Sequence, residues 1–116
     1  MDPLNLVLPW PPKELSPNAR LHHMALARVK KRFRVACGLQ AMAQGARRLQ
    51  AENLALRVVF VPPDRRARDV DNCVAAMKAG FDGLADVLGV DDSRWRWSDP
   101  PVLSDQVGGF VRVEVA

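Results

Sequence analysis

Tyrosine is absent from this 116-residue chain, and three Trp and four Phe supply its whole 6% aromatic content. With 48% hydrophobic residues the core is therefore expected to be mainly aliphatic, and the length fits one domain over residues 1–116. Cysteine is nearly absent too. Cys37 and Cys73 stand far apart in no CxxC or Cys/His spacing, which argues against a disulfide framework or a zinc site and predicts reduced thiols in a cytoplasmic protein. No apolar run approaches the roughly 20 residues that span a bilayer, and the opening MDPLNLVLPWPP has no charged stretch leading into an apolar one. A membrane partner and a secretory signal are not expected. Neither GxxxxGKS/T nor GxGxxG occurs, nor any repeat, so the common nucleotide-cofactor and solenoid readings fall away.

Acidic residues are missing from a long stretch. None lies between Leu15 and Ala51, where Arg20, Arg28, Lys30, Lys31, Arg32, Arg34, Arg47 and Arg48 are all basic. The net charge of +4 thus hides two halves: residues 1–68 carry 13 basic and four acidic side chains, and residues 69–116 carry four basic and nine acidic. Lys and Arg facing a phosphate backbone release condensed counterions, so a basic half points to a polyanion partner. A solvated helix face usually alternates its signs to gain i,i+4 pairs, and this one does not.

Periodicity predicts the order β, α, β, α, β, β, hence a small mixed sheet packed with two main helices in an α/β (α+β-like) fold. Leu4–Leu8 alternates as a first strand, halted by Pro9, Pro11, Pro12 and Pro17. Met24 to Glu52 has helical composition, with Leu26, Val29, Phe33, Ala36 and Cys37 on one stripe, although Gly38 and Gly45 interrupt it. Leu56–Val61 reads as a buried strand. Val74, Met77, Phe81, Leu84 and Leu88 then recur at helical spacing, with Gly89 as the stop. Arg94–Trp97 and Phe110–Val115 alternate as two further strands, joined by a Pro- and Gly-bearing loop over residues 98–109.

The chemistry is expected at the carboxylates. Asp69, Asp71 and Asn72 sit where a strand gives way to a helix, and any one of them suits an N-cap. One cap needs only one side chain. Asp91 and Asp92 follow the same helix, where carboxylates gain nothing from the C-terminal dipole. If that turn folds back to the helix start, three or four carboxylates share a pocket and call for a hard divalent cation. This is the composition of metal-assisted phosphodiester hydrolysis, with the basic half holding the rest of the polyanion.

Four segments carry a resemblance: LPWPP (8–12), PDRRARDVDN (63–72), FDGL (81–84) and GVDDS (89–93). In order and spacing they cover most of the chain, and it resembles the RusA family of Holliday-junction endodeoxyribonucleases, typical of phages and prophages. The resemblance implies a RusA-like fold and Mg²⁺-dependent (Mn²⁺ as the alternative) paired nicking of four-way DNA junctions by a homodimer in the bacterial cytoplasm. It places the essential aspartates on Asp69, Asp71 and Asp92, with Asp91 as a further candidate metal ligand. A functional lysine of the family falls on Ala75 here. Lys78 comes seven residues after Asp71, on the same helix face to within about 20°, and is carried as its substitute; the other reading of Lys78 is a surface pair with Asp82. Arg65, Arg66 and Arg68 are implied to bind the junction, joined by Arg20, Arg28, Lys30, Lys31 and Arg34. Asn18 is a further loop candidate.

Trp95 and Trp97 are expected to pack in the core or between subunits rather than to stack on bases, and His22 and His23 are not expected to be catalytic. A DNA-binding protein without catalysis, and a nuclease acting on other branched DNA, remain the competing readings.

Overall fold

The computed structural model describes residues 3–116. It is a mixed α/β fold in which a five-stranded sheet is covered on one face by helices. Strands β1 (Leu4–Pro9), β5 (Phe110–Val115) and β2 (Leu54–Val61) are antiparallel neighbours in that order. On the far side of β2 two short strands, β3 (Trp95–Trp97) and β4 (Val102–Leu103), pair in parallel with its first and second halves. The predicted loop 98–109 is thus interrupted by β4, a pairing too short for periodicity to reveal.

The sheet alternates as the sequence does. Leu6, Leu8, Leu54, Leu56, Val58, Phe60, Val111, Val113 and Val115 point into the core, while Arg57, Arg112 and Glu114 occupy the opposite face. Against the inner face lie α1 (His23–Ala43) and α3 (Lys78–Leu88), preceded by the short α2 (Val70–Ala76).

The first helix ends nine residues before its expected limit at Glu52. Gly45 takes a left-handed conformation (φ 94°), Gly45 N donates to Met42 O and Ala46 N to Ala41 O, which satisfies the last carbonyls and closes the helix. Ala36, placed on the buried stripe by spacing, is exposed; Phe33, Cys37, Gly38 and Ala41 form the buried contact. His22 caps this helix through Nδ1, which accepts from Met24 N. The second predicted helix is divided at Met77, whose N–H is shared between Cys73 O and Val74 O. Gly89 stops it as expected, with φ 71°.

α1 and α3 cross closely because glycines face each other. A Cβ added at Gly83 would lie 2.1 Å from Arg34 O, and one at Gly38 would lie 3.3 Å from Gly83 O. Arg34 also reaches across with its side chain: Nε and Nη2 each donate to an Asp86 oxygen at 2.7 Å. This bidentate hydrogen bond holds the Asp86 carboxyl below the ordinary range and the guanidinium above it.

Cys37 is fully buried in this contact, and burial pushes its thiol up to about 12. Cys73 is displaced upward for the same reason. Neither thiol forms a disulfide. Cys37 is therefore expected to stay unmodified by a thiol-specific reagent at pH 8 until the protein is denatured. Stoichiometric labelling of native Cys37, read by mass spectrometry of digested protein, would contradict the packing.

Candidate active site

The strand β2 delivers the chain to a loop that Asp64 organises. Its carboxylate accepts from Arg66 N at 3.0 Å and pairs with Arg68 at 2.9 Å, and it is held below the ordinary range, foremost by the Arg66 backbone bond. Arg68 turns inward: its guanidinium donates to Asp64 O and Arg66 O and lies 5.4 Å from the centre of the Trp10 ring. With its side chain only 18% exposed, Arg68 braces this loop against LPWPP rather than presenting a free cation to DNA. Arg65 and Arg66 remain exposed.

Asp69 follows as the N-cap of α2, its Oδ1 accepting from Asp71 N at 2.9 Å. Asp71 lies exposed in the first turn, where the dipole favours its charge. Asp69 and Asn72 line a cavity of about 540 Å³ with Lys13, Asn18 and Arg66. A neighbouring cavity of about 660 Å³ shares Ser16 and Ala76 with it and is lined by Lys30, Lys31, Arg34, Lys78 and Asp82. Each carries more cations than carboxylates in its lining, with Glu14 and Asp82 in the larger and Asp69 in the smaller, so together they make a basic depression beside α2. Arg20 and Arg28 are exposed, whereas Arg34 borders the depression with its guanidinium already committed to Asp86.

After Gly89 the chain reverses as expected. Asp91 caps a short 3₁₀ turn, Asp92–Arg94, through Oδ1 and Ser93 N (2.9 Å), and this backbone bond keeps its carboxyl below the ordinary range. Asp92, half-buried, reaches the beginning of α3, where Lys78 Nζ donates to its Oδ2 and, at 2.9 Å, to Asp82 Oδ1. The bond to Asp92, then that to Asp82, raises the Lys78 ammonium above its ordinary value. The expected surface pair of Lys78 with Asp82 is present, and Lys78 also meets Asp92, fourteen residues away.

The turn meets Lys78 rather than Asp69 and Asp71, which stand at the other end of α2. Among the described residues no three His, Cys, Asp or Glu side chains are gathered as a group that could hold a metal ion. The donors suit Mg²⁺ in kind, being hard carboxylate oxygens on exposed or half-exposed residues. Sequence reasoning missed Trp10 as the platform under Arg68, for which no local signal exists. It saw Asp82 only as a surface partner, although the Lys-x-x-x-Asp spacing pointed to the contact.

An uncharacterized protein of Xylella fastidiosa is 39% identical over 106 residues, which cover 89% of this chain and 68% of that protein. The chain belongs to the same family as that protein. No protein-family model matches it. That relative is itself uncharacterized, so the site's chemistry stands on its own residues. No helix among the described residues is long and apolar enough to cross a membrane.

Proposed function

We propose that this protein is a Mg²⁺-dependent, structure-specific endodeoxyribonuclease with a RusA-like fold that resolves four-way DNA junctions as a homodimer. The observation that carries the reading is the contact of Asp92, which the resemblance places among the essential aspartates, with Lys78, carried as the substitute for the family lysine that falls on Ala75 here. The adjoining basic depression supplies what a phosphate backbone requires.

Asp69, Asp71 and Asp92, with Asp91 as a further candidate, are the residues that would hold the metal, Asp69 and Asp71 from the start of α2 and Asp92 from the start of the 3₁₀ turn. When bound, Mg²⁺ supplies Lewis-acid polarisation of the scissile phosphate and a more acidic water. Lys78 offsets the charge of Asp82 and Asp92, so that a phosphate can approach an otherwise repulsive patch. Arg65, Arg66, Lys30 and Lys31 hold the flanking backbone, and Asp64 with Arg68 fixes the loop that presents Asp69. Two symmetric cuts require two active sites, which a twofold dimer provides.

Cleavage of a synthetic four-way junction tests this directly. Wild type is expected to make paired nicks in Mg²⁺ and none in EDTA, while Asp71→Asn binds in EDTA but cuts at least about 100-fold more slowly. Absence of Mg²⁺-dependent nicking by wild type would sink the proposal. It would leave a DNA-binding protein without catalysis, a reading favoured by the service of Asp69 and Asp91 as caps.

A further inference from the structure

Beside Lys78 and Asp92 lies a third cavity, of about 200 Å³, walled by Phe81, Trp95 and Trp97 with Arg96 at its margin. Phe81 comes from α3 and the two indoles from β3, with ring centres 6.2 Å from Phe81 and interplanar angles of 77° and 72°. Trp95 is locked in place, since its Nε1 donates to Val90 O at 2.9 Å. Trp97 is 43% exposed, the one indole among several large apolar side chains that this fold leaves open to solvent. Of the two indoles expected to pack in the core or between subunits, Trp95 packs against the core and Trp97 does not.

We infer that this aromatic cavity receives one unstacked nucleobase of the strand engaged at Lys78 and Asp92, which makes Trp97 a specificity-determining residue. The inference rests on the nuclease reading, since it takes the bound strand to pass that site. Several features select this occupant. Because Phe81 meets both indoles edge-to-face, the open ring face is that of Trp97, and stacking on an aromatic side chain is how proteins hold bases extruded from a helix. The space is smaller than the roughly 300–1,000 Å³ of drug-sized pockets, which limits it to about one ring system. Its rim carries two cations, Lys78 and Arg96, beside Asp92, to which Lys78 is bonded, and Arg96 is the exposed cation that an attached phosphate would meet. Lys78 and Asp92 belong to both the cavity and the candidate active site, so a base seated here lies next to the phosphate under attack. A four-way junction supplies such a base at low cost, because stacking is already interrupted at its crossover.

The test needs no catalysis. Four-way junctions carrying a single 2-aminopurine, moved one nucleotide at a time through the crossover, are bound in EDTA by the intact protein and followed by fluorescence. One position is expected to change strongly. Trp97→Ala should remove that change and weaken binding about tenfold, and Trp97→Phe should keep most of both. On a junction abasic at that position, wild type and Trp97→Ala should bind equally. The inference is overturned if no position responds, if Trp97→Ala weakens intact and abasic junctions alike, or if it turns a dimer into a monomer, which would make the indole a contact between copies. A base signal without Mg²⁺-dependent nicking removes the nuclease reading and leaves a base-binding site. Nicking without a base signal removes this inference alone, and no binding to the junction removes both.

Discussion

Lys78→Ala is expected to slow Mg²⁺-dependent junction cleavage by about 100-fold, whereas Asp82→Ala should cost no more than a few-fold. The asymmetry follows from what each side chain touches. Lys78 donates to both Asp82 and Asp92, so its removal leaves two carboxylates near each other without a neutralising cation. An incoming phosphate then meets uncompensated negative charge. Loss of Asp82 leaves the ammonium still bound to Asp92. The Lys78 side chain is 61% exposed, so neither change should alter folding much, as exposed pairs contribute roughly 0–1 kcal/mol. Single-turnover cleavage with saturating protein separates the chemical step from binding. Lys78→Arg restores charge with a different reach and should recover part of the rate. Equal, small effects of Lys78→Ala and Asp82→Ala would reduce Lys78 to a surface ion pair.

Gly83→Ala is expected to destabilise the protein by about 3 kcal/mol or to prevent folding. The added methyl would sit 2.1 Å from Arg34 O and 2.9 Å from Arg34 C, both backbone atoms of α1 that no rotamer change can move. Relief requires the two helices to separate. That would open the contact around Phe33, Cys37 and Leu84, all buried, and pull apart the Arg34 and Asp86 side chains. Gly45→Ala serves as the contrast: nothing lies within 4 Å of its Cβ, and only the left-handed backbone (φ 94°) opposes it, at roughly 1–2 kcal/mol. Urea unfolding followed by circular dichroism distinguishes the two. A Gly83→Ala protein no less stable than Gly45→Ala would show that α1 and α3 do not approach so closely.

Arg34 and Arg68 show why charge alone misassigns a role. Both lie in the basic half and both were expected to face DNA, yet Asp86 and Asp64 engage them. Asp64 is only four residues from Arg68, but Asp86 is fifty-two from Arg34 and meets it because α1 and α3 cross. Linear charge counts record how many cations exist and not which of them are already paired.

Local chemistry fixed much from the sequence alone. Alternation over Leu4–Leu8 and Phe110–Val115 set two strands and their buried faces, because side chains on a strand point alternately to either side, and the apolar run Leu56–Val61 set a third. Gly89 set the end of α3, and Asp69 its role as a cap, since both act within one turn of chain. Tertiary structure decided the rest. The end of α1 at Ala43 depended on Gly45 and on Leu49, whose N–H donates to Leu88 O at 2.9 Å on the other helix. The meeting of Lys78 with Asp92 and the aromatic cavity around Phe81 required the crossover from β2 through α2 and α3 to β3, while the fold of Arg68 onto Trp10 required β1 and β2 to end side by side across β5. Each joins residues whose separation along the chain carries no periodic signal, so only packing could bring them into contact.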